Sequence, residues 1–271
     1  MKTRIAFIFC ALCAFVPSLA RAQGTVNDLE TELRGRITVE GDWKISKGLH
    51  LSLEAEGRFT DNFSSFSRAQ TGLGISYKLN KNFKIGGGYL FMENKNSSAE
   101  WKTRHRFYLD ASYGFRSGDW RFSVKERIQY THKDVNNAYQ KTPNLLASKT
   151  RFKASYNGFG DFKPYALLEA RLVLNDPAVT YSSSQKYDEE DDYYYWPISD
   201  INYTDTYLNR FRGGLGVEYK LDKKNSIDIY GLLDYCYDKE IDTNKKGTKL
   251  KSLTWNRTLA PTVGVTYKFS F

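Results

Sequence analysis

After its first twenty residues the sequence has no apolar run approaching 18 residues, so no later segment reads as a transmembrane helix. Cysteine is nearly absent. Cys10 and Cys13 fall in an N-terminal segment expected to be removed, and Cys236 alone cannot form an intrachain disulfide. Histidine is as scarce, with only His50, His105 and His132. No His/Cys metal set, zinc motif or Gly-rich phosphate loop is present, so neither a metal nor a cofactor is expected. The formal charge of +9 falls to +6 once Lys2, Arg4 and Arg21 are lost with residues 1–22. That mild excess gives no reason to expect nucleic acid as a partner.

What the chain does have is alternation. It ends Val263-Gly264-Val265-Thr266-Tyr267-Lys268-Phe269-Ser270-Phe271, apolar at odd positions and polar or small at even ones. In water such an end frays. In lipid it is the last strand of a closed sheet, with Tyr267, Phe269 and Phe271 as a C-terminal assembly signal for the machinery that inserts barrels. At the other end, Lys2 and Arg4 precede an apolar run from Ile5 to Val16, then the small-x-small site Ala20-Arg21-Ala22. This is a Sec-type signal peptide over 1–22, leaving 23–271 as one outer-membrane domain.

Leu49–Phe59 is the clearest of about eleven alternating segments, the others lying at roughly 31–41, 68–79, 83–92, 101–115, 120–131, 146–156, 164–174, 207–221, 226–237 and 259–271. Short turns near 46–48, 80–82, 116–119, 157–158 and 222–225 alternate with longer links at 60–67, 93–100, 132–145, 175–206 and 238–253. The pattern predicts an all-β, antiparallel transmembrane barrel with short periplasmic turns and long external loops. Bacterial barrels have even strand numbers, so about 10–12 strands are expected, with twelve preferred to ten, and the N-terminal strand is the hardest to place. Pro261, which cannot donate to a ladder, should mark a bulge or the upper end of the last strand. Glu126 and His105 fall on the lipid face, which predicts a bulge or a place near the membrane surface.

Several stretches resemble one family. Ser76–Tyr89 is similar to its second hairpin, Thr103-Arg104-His105-Arg106-Phe107-Tyr108 to its central segment, and Phe122–Tyr130 and Val217–Leu221 to later strands. The family is a group of bacterial outer-membrane barrels catalogued only as a domain of unknown function. The resemblance implies the barrel fold and carries no catalytic residues.

Alternation turns a basic set into the lumen: Arg104, Arg106, Arg121, Lys125, Arg127, Arg151, Arg210 and Arg212, joined by Arg58, Arg68, Lys149 and Arg171. Glu54, Glu56, Asp110, Glu169 and Glu218 turn inward with them. Two readings follow: a narrow porin-like channel or binding lumen for small anionic solutes, or a packed structural interior in which arginine and carboxylate pair. Arg104, Arg106, Arg121 and Arg127, on adjacent strands, are the best candidates for an anion cluster.

The 175–206 link holds Asp188-Glu189-Glu190-Asp191-Asp192 followed by Tyr193-Tyr194-Tyr195-Trp196. It could bind Ca²⁺, bind a sugar or peptide, fold over the lumen as a plug, or stand as a solvated external loop. His50 and Ser52 share a face in a His-x-Ser spacing like that of outer-membrane phospholipases, but Leu53-Glu54 follows where those enzymes have Asn-Gly, and chance explains the match. A non-enzymatic outer-membrane barrel is therefore expected, with a lipid hydrolase or a surface ligand-binding barrel as alternatives. Outer-membrane lipid is its expected surrounding.

Overall fold

The computed structural model describes residues 24–96 and 98–271; the signal-peptide expectation over 1–22 lies outside them. Thirteen strands form among these residues: β1 Thr25–Thr31, β2 Arg34–Ser46, β3 Leu49–Thr60, β4 Ser65–Lys78, β5 Phe83–Lys95, β6 Trp101–Ser117, β7 Trp120–Lys133, β8 Asn144–Tyr156, β9 Phe162–Tyr181, β10 Lys186–Asp188, β11 Tyr193–Lys220, β12 Asn225–Thr243 and β13 Lys249–Ser270. Each neighbouring pair from β2 to β13 is antiparallel, β9 pairing directly with β11 while β10 forms a small hairpin with β11 alone. β13 then returns to β2, from Thr262 opposite Arg34 to Ser270 opposite Asp42, and closes an eleven-stranded barrel.

That closing pair is parallel, a departure from the wholly antiparallel barrel expected. Eleven falls within the range of ten to twelve but is neither of the even numbers favoured. The reason is direction: with an odd count the first and last strands run the same way, and can pair only in parallel. Its slanted hydrogen bonds are slightly weaker than antiparallel ones. β1 extends the same seam, lying parallel to β13 from Thr25 opposite Thr254 to Thr31 opposite Leu259.

Pro261 sits inside β13 opposite Leu233, in unbroken register with β12, and marks neither a bulge nor a strand end. On its other side the ladder breaks between Thr31, opposite Leu259, and Arg34, opposite Thr262. A residue with no N–H is tolerated where the neighbouring strand is interrupted.

All five short turns gather at one end, with the C-terminus. At the other end the strands outrun the sequence pattern. β9 and β11 continue to Tyr181 and from Tyr193, so most of 175–206 is an extended hairpin instead of a loop. β3 and β4 are joined by a tight turn in which Asp61, Asn62 and Phe63 all have positive φ.

The outer wall is apolar: Ile37, Leu53, Leu73, Ile75, Leu109, Ile128, Leu168, Leu215, Ile229 and Val263 all stand exposed. Aromatic rings gather at the turn end, where Trp43 stacks on Phe271, Trp120 on Phe122 and Tyr156 against Phe159. Inside, glycines seat tyrosine rings. A Cβ at Gly88 would stand 2.4 Å from the Leu73 carbonyl oxygen and 2.5 Å from the Tyr108 hydroxyl. Interior glycines here make room for large side chains that fill the lumen.

Candidate lumen site

The barrel's tilt decides which inward side chains meet. Arg36 of β2, Arg58 of β3, Arg68 of β4, Arg106 of β6, Arg171 of β9 and Arg210 of β11 each lie about ten residues in from the short-turn end of their strands, so six strands present guanidinium groups at one height. The charges of Arg171, Arg58, Arg210 and Arg127 all act on Arg106. Arg104 lies one step above, under the influence of Arg171.

Carboxylates below this ring neutralise part of the charge, and above it Asp176 and Asp205 pair with Lys239 while Asp238 accepts from Asn209. Asp110 accepts from Arg127 Nε at 2.6 Å and from Lys125 Nζ at 2.7 Å. Glu169, fully buried, meets Arg151 at 2.6 Å, Arg210 at 2.9 Å, and Lys149 and Arg212 at 3.5 Å each. Arg212 also grips Asp234 through two hydrogen bonds. Glu56 takes Arg58 at 2.5 Å and Arg36 at 3.5 Å. Nearer the turns, Glu218 and Asp228 share Lys268. Glu54 accepts from Gln70 Nε2 at 2.6 Å.

The ring keeps donors in reserve. Arg68 and Arg106 donate to neutral groups, Asn94 and Thr131, and Arg171 to Asn209. Among the described residues none of these three, nor Arg104, has a carboxylate within ion-pair distance. The Nε atoms of Arg36, Arg171 and Arg210, and Nδ2 of Asn94, are buried with no hydrogen-bond partner. Arg36 and Arg210 are paired with Glu56 and Glu169, so it is the unpaired Arg68, Arg106 and Arg171 that an anion would complete, since a buried charge left unpaired is costly.

The sequence-based cluster is thus partly regrouped. Arg104 and Arg106 belong with the ring. Arg127, Lys125, Arg151 and Arg212 are committed to carboxylates. Arg121 is exposed at the turn-end mouth, opposite Arg116, and takes no part. Arg36 was missed, although its place between the outward residues Gly35 and Ile37 is the signal that would have found it.

Two segments lie at the far mouth, and one of them crosses it. The 134–143 link reaches over to the β12–β13 turn: Asn137 Nδ2 donates to Thr243 Oγ1 at 3.2 Å, and Gln140 Nε2 to Asp242 Oδ1 at 3.0 Å. The β10–β11 hairpin bends sideways onto β13, with Trp196 opposite Leu250, an Asp188–Lys249 ion pair, and Lys251 Nζ 4.3 Å from the Tyr193 ring centroid. The Lys249 ammonium beside Asp188 holds its carboxyl below the ordinary range. Asp192 accepts from the Tyr187 hydroxyl, while Glu189, Glu190 and Asp191 are exposed. Tyr194 is exposed and packs on Tyr187 at 5.0 Å. Among the described residues no His/Cys/Asp/Glu group has a metal-binding arrangement, this acidic run included.

His50 and Ser52 do not form a nucleophile–base pair. His50 Nδ1 lies 2.7 Å from Asp42 Oδ1, and Ser52 Oγ donates to the Gly74 carbonyl. Neither outward exception sits at a bulge. His105 packs against Tyr89 and Phe91, 2.7 Å from the Tyr89 hydroxyl. Glu126 lies at mid-strand, with the Ser148 and Thr150 hydroxyls on its two oxygens.

The model of a family described as "Protein of unknown function (DUF2490)" matches residues 37–183, the stretch from β2 to just past the end of β9. No curated protein matches the chain. Among solved structures, the NanC porin in a rhombohedral crystal form superposes with a TM-score of 0.41 and 11% identity, over 82% of this chain and 95% of the porin chain.

Proposed function

The chain belongs to the DUF2490 family of proteins of unknown function, and on that premise we propose a non-enzymatic outer-membrane barrel whose arginine ring holds and passes small anionic solutes. The observation that carries this reading is the group of ring guanidiniums, Arg68, Arg106 and Arg171, that meet only neutral acceptors at one height of the lumen, with the Arg171 Nε buried and without a hydrogen bond. Rings of arginine select for anions because they replace part of the hydration lost on entry. The apolar outer wall and the turn-end aromatic band support a place in a bilayer, and the N-terminal segment supports export. In that orientation the short turns are periplasmic, the 134–143 link and the β10–β11 hairpin are external, and Tyr267, Phe269 and Phe271 serve the assembly machinery.

Reversal potentials across planar bilayers under a KCl gradient test the reading. The expected sign is that of chloride preference. A barrel that conducts nothing, or that prefers potassium, would overturn it.

A further inference from the structure

Arg104 of β6 and Lys133 of β7 stand directly opposite one another. Cross-strand partners share a face, and here the face is the inner one: Thr131 below Lys133 is buried, while His132 between them is exposed. Like charges placed so are unfavourable unless something of opposite sign lies between them. Among the described residues neither has a carboxylate within ion-pair distance, and neither side chain makes a hydrogen bond. Asp176 is the carboxylate whose charge reaches Lys133, but it is already held by Lys239 at 3.5 Å and by the Tyr207 hydroxyl at 3.2 Å. Lys141, on the link over the mouth, adds a further positive charge acting on Lys133.

This pair has a fixed place above the ring. Arg106 follows Arg104 on the same face of β6, two residues nearer the turns, a rise of about 7 Å. Arg106 spends its Nε on Thr131, and Arg68 spends its own on Asn94. The terminal nitrogens of both are left without a partner among the described residues. Two cationic groups without counter-charges are therefore stacked along the lumen. A solute with one anionic group completes one of them and leaves the other bare.

We infer that the lumen takes organic dianions, with one anionic group at the Arg104–Lys133 pair and the other at the ring arginines. Two separate monoanions would fill the same places less well. They repel each other and each gives up its own freedom, whereas a tethered second group binds from a high effective concentration. The inference rests on the reading of the barrel as an anion channel and names the solute class of that same lumen.

The test is block of the chloride current through the full chain in planar bilayers, with adipate, malonate and hexanoate as probes near neutral pH. Adipate and malonate carry the same charge, but only adipate spans the step between the two groups; hexanoate has the length and a single carboxylate. Adipate should block at about tenfold lower concentration than either. Lys133→Met and Arg104→Gln should each bring adipate to the level of malonate, with heat-modifiable gel migration checking that both variants fold. Arg121→Ala should keep the advantage of adipate. Malonate as effective as adipate would mean that charge alone decides, and hexanoate as effective would mean that one anionic group is bound. Either result, or an advantage that survives in both lumen variants, overturns the inference while chloride preference leaves the channel reading standing. A closed barrel or a potassium preference overturns both.

Discussion

Trp43 stacks on Phe271 with ring centroids 4.7 Å apart and planes 9° from parallel, across the seam where β2 meets the chain end just beyond β13. The Phe271 N–H donates to the Asp42 carbonyl at 2.9 Å, so backbone and ring both hold the final residue to the first barrel strand. Aromatic pairs contribute about 0.5–1.5 kcal/mol beyond their buried area. Trp43→Ala should therefore destabilise the folded barrel by about that much or slightly more, measured by urea unfolding in vesicles. Deleting Phe271 should cost more, because it removes the backbone contact as well.

Arg106 of β6 and Arg171 of β9, three strands apart around the wall, both lack a carboxylate of their own. Replacing both by alanine should shift the reversal potential toward zero by removing cationic donors at the height of the ring. Arg121→Ala, at the open mouth, should leave it nearly unchanged. Equal effects would mean that selectivity arises from overall charge and not from the ring.

Glu169 is the reverse case: one buried carboxylate holding four cations. Removing one partner of a buried ion pair costs about 3–5 kcal/mol, because the remaining charges stay buried. Glu169→Gln should destabilise by that order, seen as an earlier urea midpoint. Any folded fraction should favour anions more strongly than the wild type.

The Asp188–Lys249 contact gives the rim hairpin a pH window. Asp188 is held below the ordinary carboxylate range by its hydrogen bond from Lys249, so its contribution is present above the unfolded-state pKa, about 3.9, and fades as pH falls through the lower folded value. Lys249 is raised by the same bond, so its contribution is complete below about 10.4 and fades as pH rises through the higher folded value. A spin label on the hairpin should report one docked position from about pH 5 to 9 and release at both extremes. Lys249→Met should release it throughout.

The 134–143 link should govern access. Deleting 135–141 removes Asn137 and Gln140, which tie this link to the β12–β13 turn, and should raise single-channel conductance more than deleting 183–191 from the sideways hairpin. Conductance recordings of the two deletions decide the order.

How much of this could be read from the chain follows from what alternation encodes. Period two tells inside from outside, so the eleven strands, the five short turns and the inward direction of Arg106 or Glu169 were legible. It does not encode height. That depends on strand tilt and stagger, which bring Arg36, Arg58, Arg171 and Arg210 level although they are scattered over 175 positions of sequence. Nor does it encode contacts such as Asn137 with Thr243, made across the mouth by residues 106 positions apart. The odd count was visible, but the usual even number of bacterial barrels argued against accepting it. Only the pairing of β13 with β2 settles the direction of closure. Gly24 begins the described chain beside Leu253, far from the turns.

That closure gives the molecule a net strand direction along its axis, six strands one way and five the other, that an even antiparallel barrel lacks. Ten strands can be delivered as five hairpins, but the remaining one has no hairpin mate, and its edge stays open until the opposite edge arrives. Sealing is then a zipper between two strands that travel the same way, with nothing linking them covalently nearby. A circular permutant joining the two ends would need a connector running the full height of the wall, where the same manoeuvre in an even barrel takes a short turn.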